Sequence, residues 1–278
     1  MSDRPQGARG AVVVKLGGEV IRSAELPQIA ADLGQIAKER PLVVVHGGGP
    51  QATKLQEQLG QTPVKIAGRR VTDAATLDVM KMVVAGALNV DLCAALVGAG
   101  AKPVGLAGTS SRVIAAERRP PRVYSGAGPD PVDLGLVGDV VGVNEHLLGL
   151  LTDAGYVPVL ACLGAGADGQ PYNINADIVA TRVAVALAAS SLVLVSDVRG
   201  VLRDVRDPSS RIARLTVAEG RELIASGVAK EGMIPKLEES FAAIAAGAAQ
   251  VHVVGKLGAG DLLREAESPG SIGTVIVP

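Results

Sequence analysis

Aromatic side chains are almost missing from this 278-residue chain: it has no tryptophan, one phenylalanine (Phe241) and three tyrosines (Tyr124, Tyr156 and Tyr172). Stacking of a base between rings is scarcely available, so a nucleotide pocket here needs aliphatic walls and backbone hydrogen bonds. Cysteine is nearly as scarce. Cys93 and Cys162 lack metal or redox spacing, which predicts buried free thiols and fits a reducing cytosol. The three histidines, His46, His146 and His252, stand apart from any Cys or Asp at ligand spacing and read as structural or surface residues, so no protein-built metal site is expected. A Gly-x-Ser-x-Gly elbow is also absent, which disfavours a serine hydrolase.

Charge of one sign is lacking too. Lys plus Arg (27) nearly cancels Asp plus Glu (28), so no global field draws the chain to nucleic acid or an anionic membrane, and any anion must be held locally. Mean hydropathy is +0.34, yet the Ala-rich stretch from Ile178 to Ala189 is broken by Arg182 and is too short to span a bilayer. The segment from Met1 to Gly10 has arginines and no apolar core, unlike a secretory signal. These features predict a soluble cytoplasmic protein. No fixed-period repeat or low-complexity linker divides it.

What is present is alternation. β-branched apolar runs at 11–15, 42–46, 157–160, 192–195 and 251–254 alternate with helical patterns near 27–39, 51–59, 74–97, 145–153 and 177–188. Two more helices are read near 217–226 and 233–246, with a last strand at 274–277. Such alternation implies βαβ units and a parallel sheet. Between Lys102 and Val143 the pattern breaks into short Gly-, Pro- and Arg-rich pieces that read as β-hairpins able to line a site. A change of role near residue 189 suggests lobes at 1–188 and 189–278.

Two strands end in glycine clusters: Val12-Val13-Val14-Lys15-Leu16-Gly17-Gly18 and Leu42-Val43-Val44-Val45-His46-Gly47-Gly48-Gly49-Pro50. Glycines at a strand's end let backbone N–H groups approach a phosphate or carboxylate closely, although one such turn alone is commonly just a tight strand-to-helix connection. Tyr172-Asn173-Ile174-Asn175-Ala176-Asp177 opens a helix with more polar groups than capping requires. Ser196-Asp197-Val198-Arg199-Gly200-Val201-Leu202 follows a buried strand, where open α/β sheets bind ligands, though Asp197 serves equally as a turn residue. Gly232-Met233-Ile234-Pro235-Lys236 places a lysine in a helix's first turn, either a phosphoryl clamp or a solvated surface cation. In Gly68-Arg69-Arg70-Val71-Thr72-Asp73, Thr72 or Asp73 can cap the next helix and either arginine can grip a carboxylate.

Taken together in order and spacing, VVVKLGG, VVVHGGGP, GRRVTD, DLGLVGDVVGVN, GYVPVLACLG, DGQPYNINAD, LVLVSDVRGVL and EGMIPK resemble the amino acid kinase superfamily, and within it the branch that phosphorylates N-acetyl-L-glutamate. The resemblance implies a three-layer αβα sandwich around an open, mainly parallel β-sheet, with the amino acid in the N-terminal lobe and ATP with Mg²⁺ in the C-terminal lobe. It implies in-line transfer of the γ-phosphoryl to the side-chain carboxylate. Lys15 and Lys236 are then expected on opposite sides of the moving group, with Asp177 holding both. Gly17 and Gly18 cradle phosphate, Gly48 and Gly49 donate N–H groups to the acyl-amino acid, Arg70 grips its α-carboxylate and Asn173 makes the other substrate contact. Asp197, Val198, Arg199, Gly200, Val201 and Leu202, with Val228, Ala229 and Lys230, are expected around the nucleotide.

Departures from the family pattern occur at Gly105-Leu106-Ala107-Gly108-Thr109-Ser110-Ser111, Asn89-Val90 and Val254-Gly255-Lys256, without an assigned role. The first strand begins almost at once, without the N-terminal helix by which arginine-inhibited relatives form hexamers, so an arginine-insensitive homodimer is expected. The alternatives are a kinase of carrier-bound aminoadipate or glutamate, which usually lacks the full HGGG and NINAD signatures, and a non-catalytic amino-acid sensor. Glutamate 5-kinase and aspartokinase would normally append a further domain.

Overall fold

The structure is a computed structural model that describes residues 10–124, 126–204, 206–229 and 233–278. Its centre is an eight-stranded sheet in the order β12-β14-β13-β11-β1-β2-β8-β5. The strands are β1 (Val12–Leu16), β2 (Leu42–His46), β5 (Pro103–Ala107), β8 (Val157–Ala161), β11 (Ser191–Ser196), β12 (Arg214–Thr216), β13 (Val251–Gly255) and β14 (Thr274–Val277). Neighbours from β13 to β5 pair in parallel, and β14 runs antiparallel to β13. The valine runs of β1, β2 and β11 are buried on both faces, which is why they read as unbroken apolar stretches.

Helices cover both faces. Helices α2 (Leu26–Glu39) and α5 (Asn89–Gly98) pack against each other on one side, where α2 also meets α10 (Asp261–Glu267). Helices α6 (Glu145–Asp153) and α7 (Ala176–Ala186), followed by α8 (Val217–Ala225) and α9 (Met233–Ala245), cover the other. The result is the three-layer sandwich that the resemblance implies, built on the parallel sheet that the alternation predicts. The expected boundary at residues 188 and 189 falls between α7 and β11, and one sheet crosses it.

The region 102–143 departs from the hairpin expectation at its start. Pro103–Ala107 joins the main sheet as a parallel edge strand beside β8; Pro103, Gly105 and Ala107 leave its apolar signal too weak for the sequence pattern to announce it. Beyond it, β6 (Ile114–Arg118) and β7 (Gly138–Val143) do pair as antiparallel strands and join β9 (Leu163–Ala165) and β10 (Pro171–Asn173) in a second sheet. A two-stranded hairpin, β3 (Lys65–Ile66) and β4 (Arg69–Arg70), follows α3 (Gly49–Gln58).

The helical run expected near 74–97 is continuous but mixed: α4 (Ala74–Met80) passes into a π-helical stretch, Lys81–Leu88, and then α5. Asp73 caps its start by accepting from the Thr76 N–H at 2.7 Å. Residues 74–98 are long and apolar enough to cross a membrane by length and composition, but Leu77, Val84, Leu88, Leu92 and Leu96 lie in the core. Helix α1 (Gly18–Ile21) and α10 have no counterpart in the sequence reading, the first for want of length and the second because Gly258 and Gly260 obscure its entry.

Candidate active site

Because β1, β2, β11 and β13 are parallel, their C-terminal ends share one edge of the sheet, and there the chain leaves β1 toward β2 on one side and β11 toward β13 on the other. A cleft of about 1090 Å³ opens along that edge. Its lining brings together Lys15, Gly17, Gly18, Gly48, Gly49 and Arg70, and also Asn173, Asp177, Asp197 and Lys236.

The two glycine turns are in direct contact. A Cβ on Gly18 would lie 2.8 Å from the Gly48 Cα and 2.4 Å from Gln51 Oε1, so only glycine lets the turns close. The Gly47 N–H donates to the Leu16 carbonyl at 3.1 Å, and Gln51 Nε2 donates to the Gly18 carbonyl at 3.0 Å. Each turn leads into a helix, Gly18–Ile21 and Gly49–Gln58, so free N–H groups face the cleft. His46 beneath them is fully buried. Its Nδ1 donates to the Gly47 carbonyl at 3.0 Å while Nε2 accepts from Asn89 Nδ2 at 3.0 Å, and burial pulls its pKa below the ordinary value, keeping the ring neutral. The reading of His46 as structural fits this arrangement.

Lys15 projects from β1 into the cleft and pairs with Asp177 at 2.8 Å, both side chains largely shielded. Asp177 sits in the first turn of α7, whose cap is Asn175: its side chain accepts from the Asp177 N–H at 2.6 Å. Capping therefore uses one asparagine, leaving Asn173 and Asp177 to face the cleft. Asn173 Nδ2 donates to Thr72 Oγ1 at 3.0 Å.

Lys236, in the first described turn of α9, also lines the cleft and pairs with Asp197 at 2.5 Å. That hydrogen bond holds the Asp197 carboxyl below the usual range. The expectation that Asp177 holds both ammonium groups is thus corrected: it holds Lys15, and Asp197, which stands closer to α9 at the end of β11, takes Lys236.

At the other end of the cleft, the β3–β4 hairpin presents Arg70. Its guanidinium donates to the Gly49 carbonyl at 2.8 Å, to Thr53 Oγ1 at 2.7 Å and to Gln56, which fixes its plane beside the second glycine turn. Arg69 instead stacks over the Tyr124 ring, 4.6 Å from its centroid. Both arginines line the cleft, with different partners.

The cleft lining ends at Asp197 and does not take in Val198, Arg199, Gly200, Val201 or Leu202, nor Val228 or Ala229. Part of this segment is anchored elsewhere: the Val201 N–H donates to Thr274 Oγ1 at 2.8 Å, Leu202 bridges to Arg211, and the buried Ala229 donates to the Leu223 carbonyl. Lys230 lies outside the described residues. Sequence reasoning passed over Glu239, Arg182 and Lys256, which also line the cleft. The departure at Gly255-Lys256 could have drawn attention to Lys256, since it follows β13 at the ligand-binding edge. Among the described residues, no group of three or more His, Cys, Asp or Glu side chains converges as a metal site.

Paired lysines, carboxylates between them and contacting glycine turns at the C-terminal edge of a parallel sheet define an α/β enzyme built to move an anionic group between two bound anions. The amino acid kinase family profile matches residues 10–255, and the chain belongs to that family. It is a kinase. It is 65% identical over 272 residues to the acetylglutamate kinase of Sorangium cellulosum, covering 98% of this chain and 96% of that protein. It is 58% identical to the acetylglutamate kinase of Anaeromyxobacter dehalogenans, covering 95% of this chain and 98% of that protein. Among solved structures, the N-acetylglutamate synthase of Neisseria gonorrhoeae, complexed with coenzyme A and N-acetyl-glutamate, superposes with a TM-score of 0.80 at 26% identity. That match covers 98% of this chain and 60% of the synthase chain.

Proposed function

We propose that this kinase transfers the γ-phosphoryl of ATP to the side-chain carboxylate of N-acetyl-L-glutamate, giving an acyl phosphate and ADP in the second step of arginine biosynthesis. The observation that supports the reading is that Lys15, paired with Asp177, and Lys236, paired with Asp197, line one cleft together with Arg70 and the second glycine turn. The relatives' names supply the substrate. A carboxylate acceptor is ionised at neutral pH, so no general base is needed. What the protein must supply is alignment and positive charge where negative charge develops.

In this reading the N–H groups of Gly17 and Gly18 hold phosphate oxygens and those of Gly48 and Gly49 hold the acceptor. Arg70 binds the α-carboxylate with the guanidinium donors not already spent on Gly49, Thr53 and Gln56, while Asn173 binds the acetamido end. Lys15 and Lys236 meet the transferring group from either side, and Asp177 and Asp197 keep them aimed. Mg²⁺ enters with the nucleotide, ligated by phosphate oxygens and water. Ala242, Ala243 and Ala246 give the C-terminal end of the cleft an aliphatic surface suited to a nucleobase, as the scarcity of aromatics requires. Asp197, at the end of β11, borders the nucleotide.

We also read the enzyme as a cytosolic homodimer. Met82, Val90 and Val97 are 53%, 63% and 62% exposed on one long helical run, an apolar stripe suited to pairing with its own copy. Both cysteines are free, which fits a reducing compartment.

A coupled assay of ADP release tests the reaction. N-acetyl-L-glutamate should turn over far faster than glutamate, aspartate or carrier-bound aminoadipate, and Lys236→Ala should lower kcat by about a hundredfold, a loss of about 3 kcal/mol in transition-state stabilisation. Binding of the amino acid without turnover would favour a sensor.

A further inference from the structure

Three residues beyond Lys236 on α9, and therefore on the same face of that helix, Glu239 turns its carboxylate into the cleft between the two lysines' walls. The neighbouring carboxylates are each tied to a lysine, Asp177 to Lys15 and Asp197 to Lys236. Among the described residues Glu239 has no hydrogen-bond or ion-pair partner. The charged groups that face it are Asp177 from α7, Lys15 from β1, Lys236 from its own helix and Arg69 from β4. Protein atoms ring the carboxylate although it reaches water in the open cleft, and this burial, reinforced by Asp177, pushes its pKa up to about 7 against the opposing pull of Lys15, Lys236 and Arg69.

We propose that Glu239 is a charge gate on the nucleotide end of the cleft: as an anion it opposes the polyphosphate chain, and binding of ATP or ADP is coupled to its protonation. The inference rests on the reading that this cleft takes ATP. A phosphate chain seated against Gly17, Gly18 and the lysines adds negative charge beside a carboxylate that, among the described residues, forms no ion pair of its own. Like charges at such range disfavour each other's ionised forms, so the bound nucleotide raises the affinity of Glu239 for a proton. Between its free and bound ionisation, nucleotide binding takes up a proton and affinity falls as pH rises. Well below that window Glu239 is already neutral and the gate is open. The same repulsion hastens release of ADP, which is useful in an enzyme whose paired lysines would otherwise hold both nucleotides.

Titration calorimetry of ADP with Mg²⁺, in buffers of different ionisation enthalpy, reads the coupling directly. The parent should take up part of a proton near pH 7.5, and Glu239→Gln should take up none. At pH 8 the variant should bind ADP about three- to tenfold more tightly than the parent, with the gap closing at pH 6. Glu239→Ala should show the same tightening, which separates lost charge from a new amide hydrogen bond. KM for ATP should follow the calorimetry. A parent that binds ADP with proton uptake and affinity equal to those of both variants overturns the gate alone. A parent that binds no ADP overturns the nucleotide reading and the gate together.

Discussion

Gly18 and Gly48 meet with less than a methyl group between them, and the catalytic logic of the cleft depends on that contact. In the proposed reaction the first turn holds phosphate and the second holds the acceptor, so the distance between the turns would set the distance between donor and acceptor. Gly18→Ala places a Cβ 2.8 Å from the Gly48 Cα, which is backbone and cannot rotate aside. The turns must separate, and a misplacement of about 1 Å costs on the order of a hundredfold in rate. The expected outcome is a drop of that size in kcat with a fold that persists, since such overpacking typically costs about 1–3 kcal/mol. Steady-state kinetics together with circular dichroism check it, and an unchanged kcat would remove the contact from the mechanism. Both glycine clusters were visible in the sequence, as were Lys15, Asp177 and Lys236. Their mutual packing was not, because it joins residues on separate strands. The pairing of Lys236 with Asp197 was equally hidden: sequence spacing gives no distance across a cleft.

Helices and strands were legible wherever their apolar period was strong. The buried valine runs of β1, β2, β11 and β13 each announced a strand because burial on both faces removes polar alternation. The π-helical stretch Lys81–Leu88 was not legible, since a widened turn changes the hydrogen-bond partner and leaves composition untouched. This stretch carries Val84 and Leu88 against Gly48, where a Cβ would meet them at 3.1 and 2.6 Å, and delivers Asn89 to His46. Asn89, which the sequence flagged without a role, uses both amide hydrogens, donating to His46 Nε2 and to the Val159 carbonyl, each at 3.0 Å. Asn89→Ala leaves those two buried acceptors unpaired and should destabilise the fold by about 1–3 kcal/mol in urea unfolding, with the midpoint shifted and the slope retained. The pH dependence of the intact network follows in sign from His46. Its pKa in the folded chain is lowered, so below the ordinary histidine value of about 6.5 the unfolded state binds the extra proton. His46 therefore contributes stability that is present above that value and lost as pH falls below it. Melting temperatures recorded between pH 7.5 and 5 should fall on the acid side, and less steeply in His46→Gln.

At the scale of the molecule, one sheet carries the whole cleft along its edge, and the long helix beside it has two faces. Its inner face, through Leu77, Val84, Leu88, Leu92 and Leu96, packs in the core and supports the second glycine turn. Its outer face leaves Met82, Val90 and Val97 in water. Pairing of two copies along this stripe would bury the apolar surface and stiffen the helix that backs Gly48, so that assembly and acceptor binding draw on the same element. Val90→Asp combined with Val97→Asp puts two carboxylates into that seam from each copy, and burying an unpaired charge costs several kcal/mol, enough to weaken association by about a hundredfold or more. Neither side chain touches the cleft lining or the core, so the variant should keep the parent's circular dichroism while sedimenting as a monomer at concentrations where the parent is a dimer. If helix support is the link, KM for N-acetyl-L-glutamate should rise in the monomer while the affinity for ADP holds. A parent that sediments as a monomer would remove the dimer, and a dimeric variant would move the interface away from this helix.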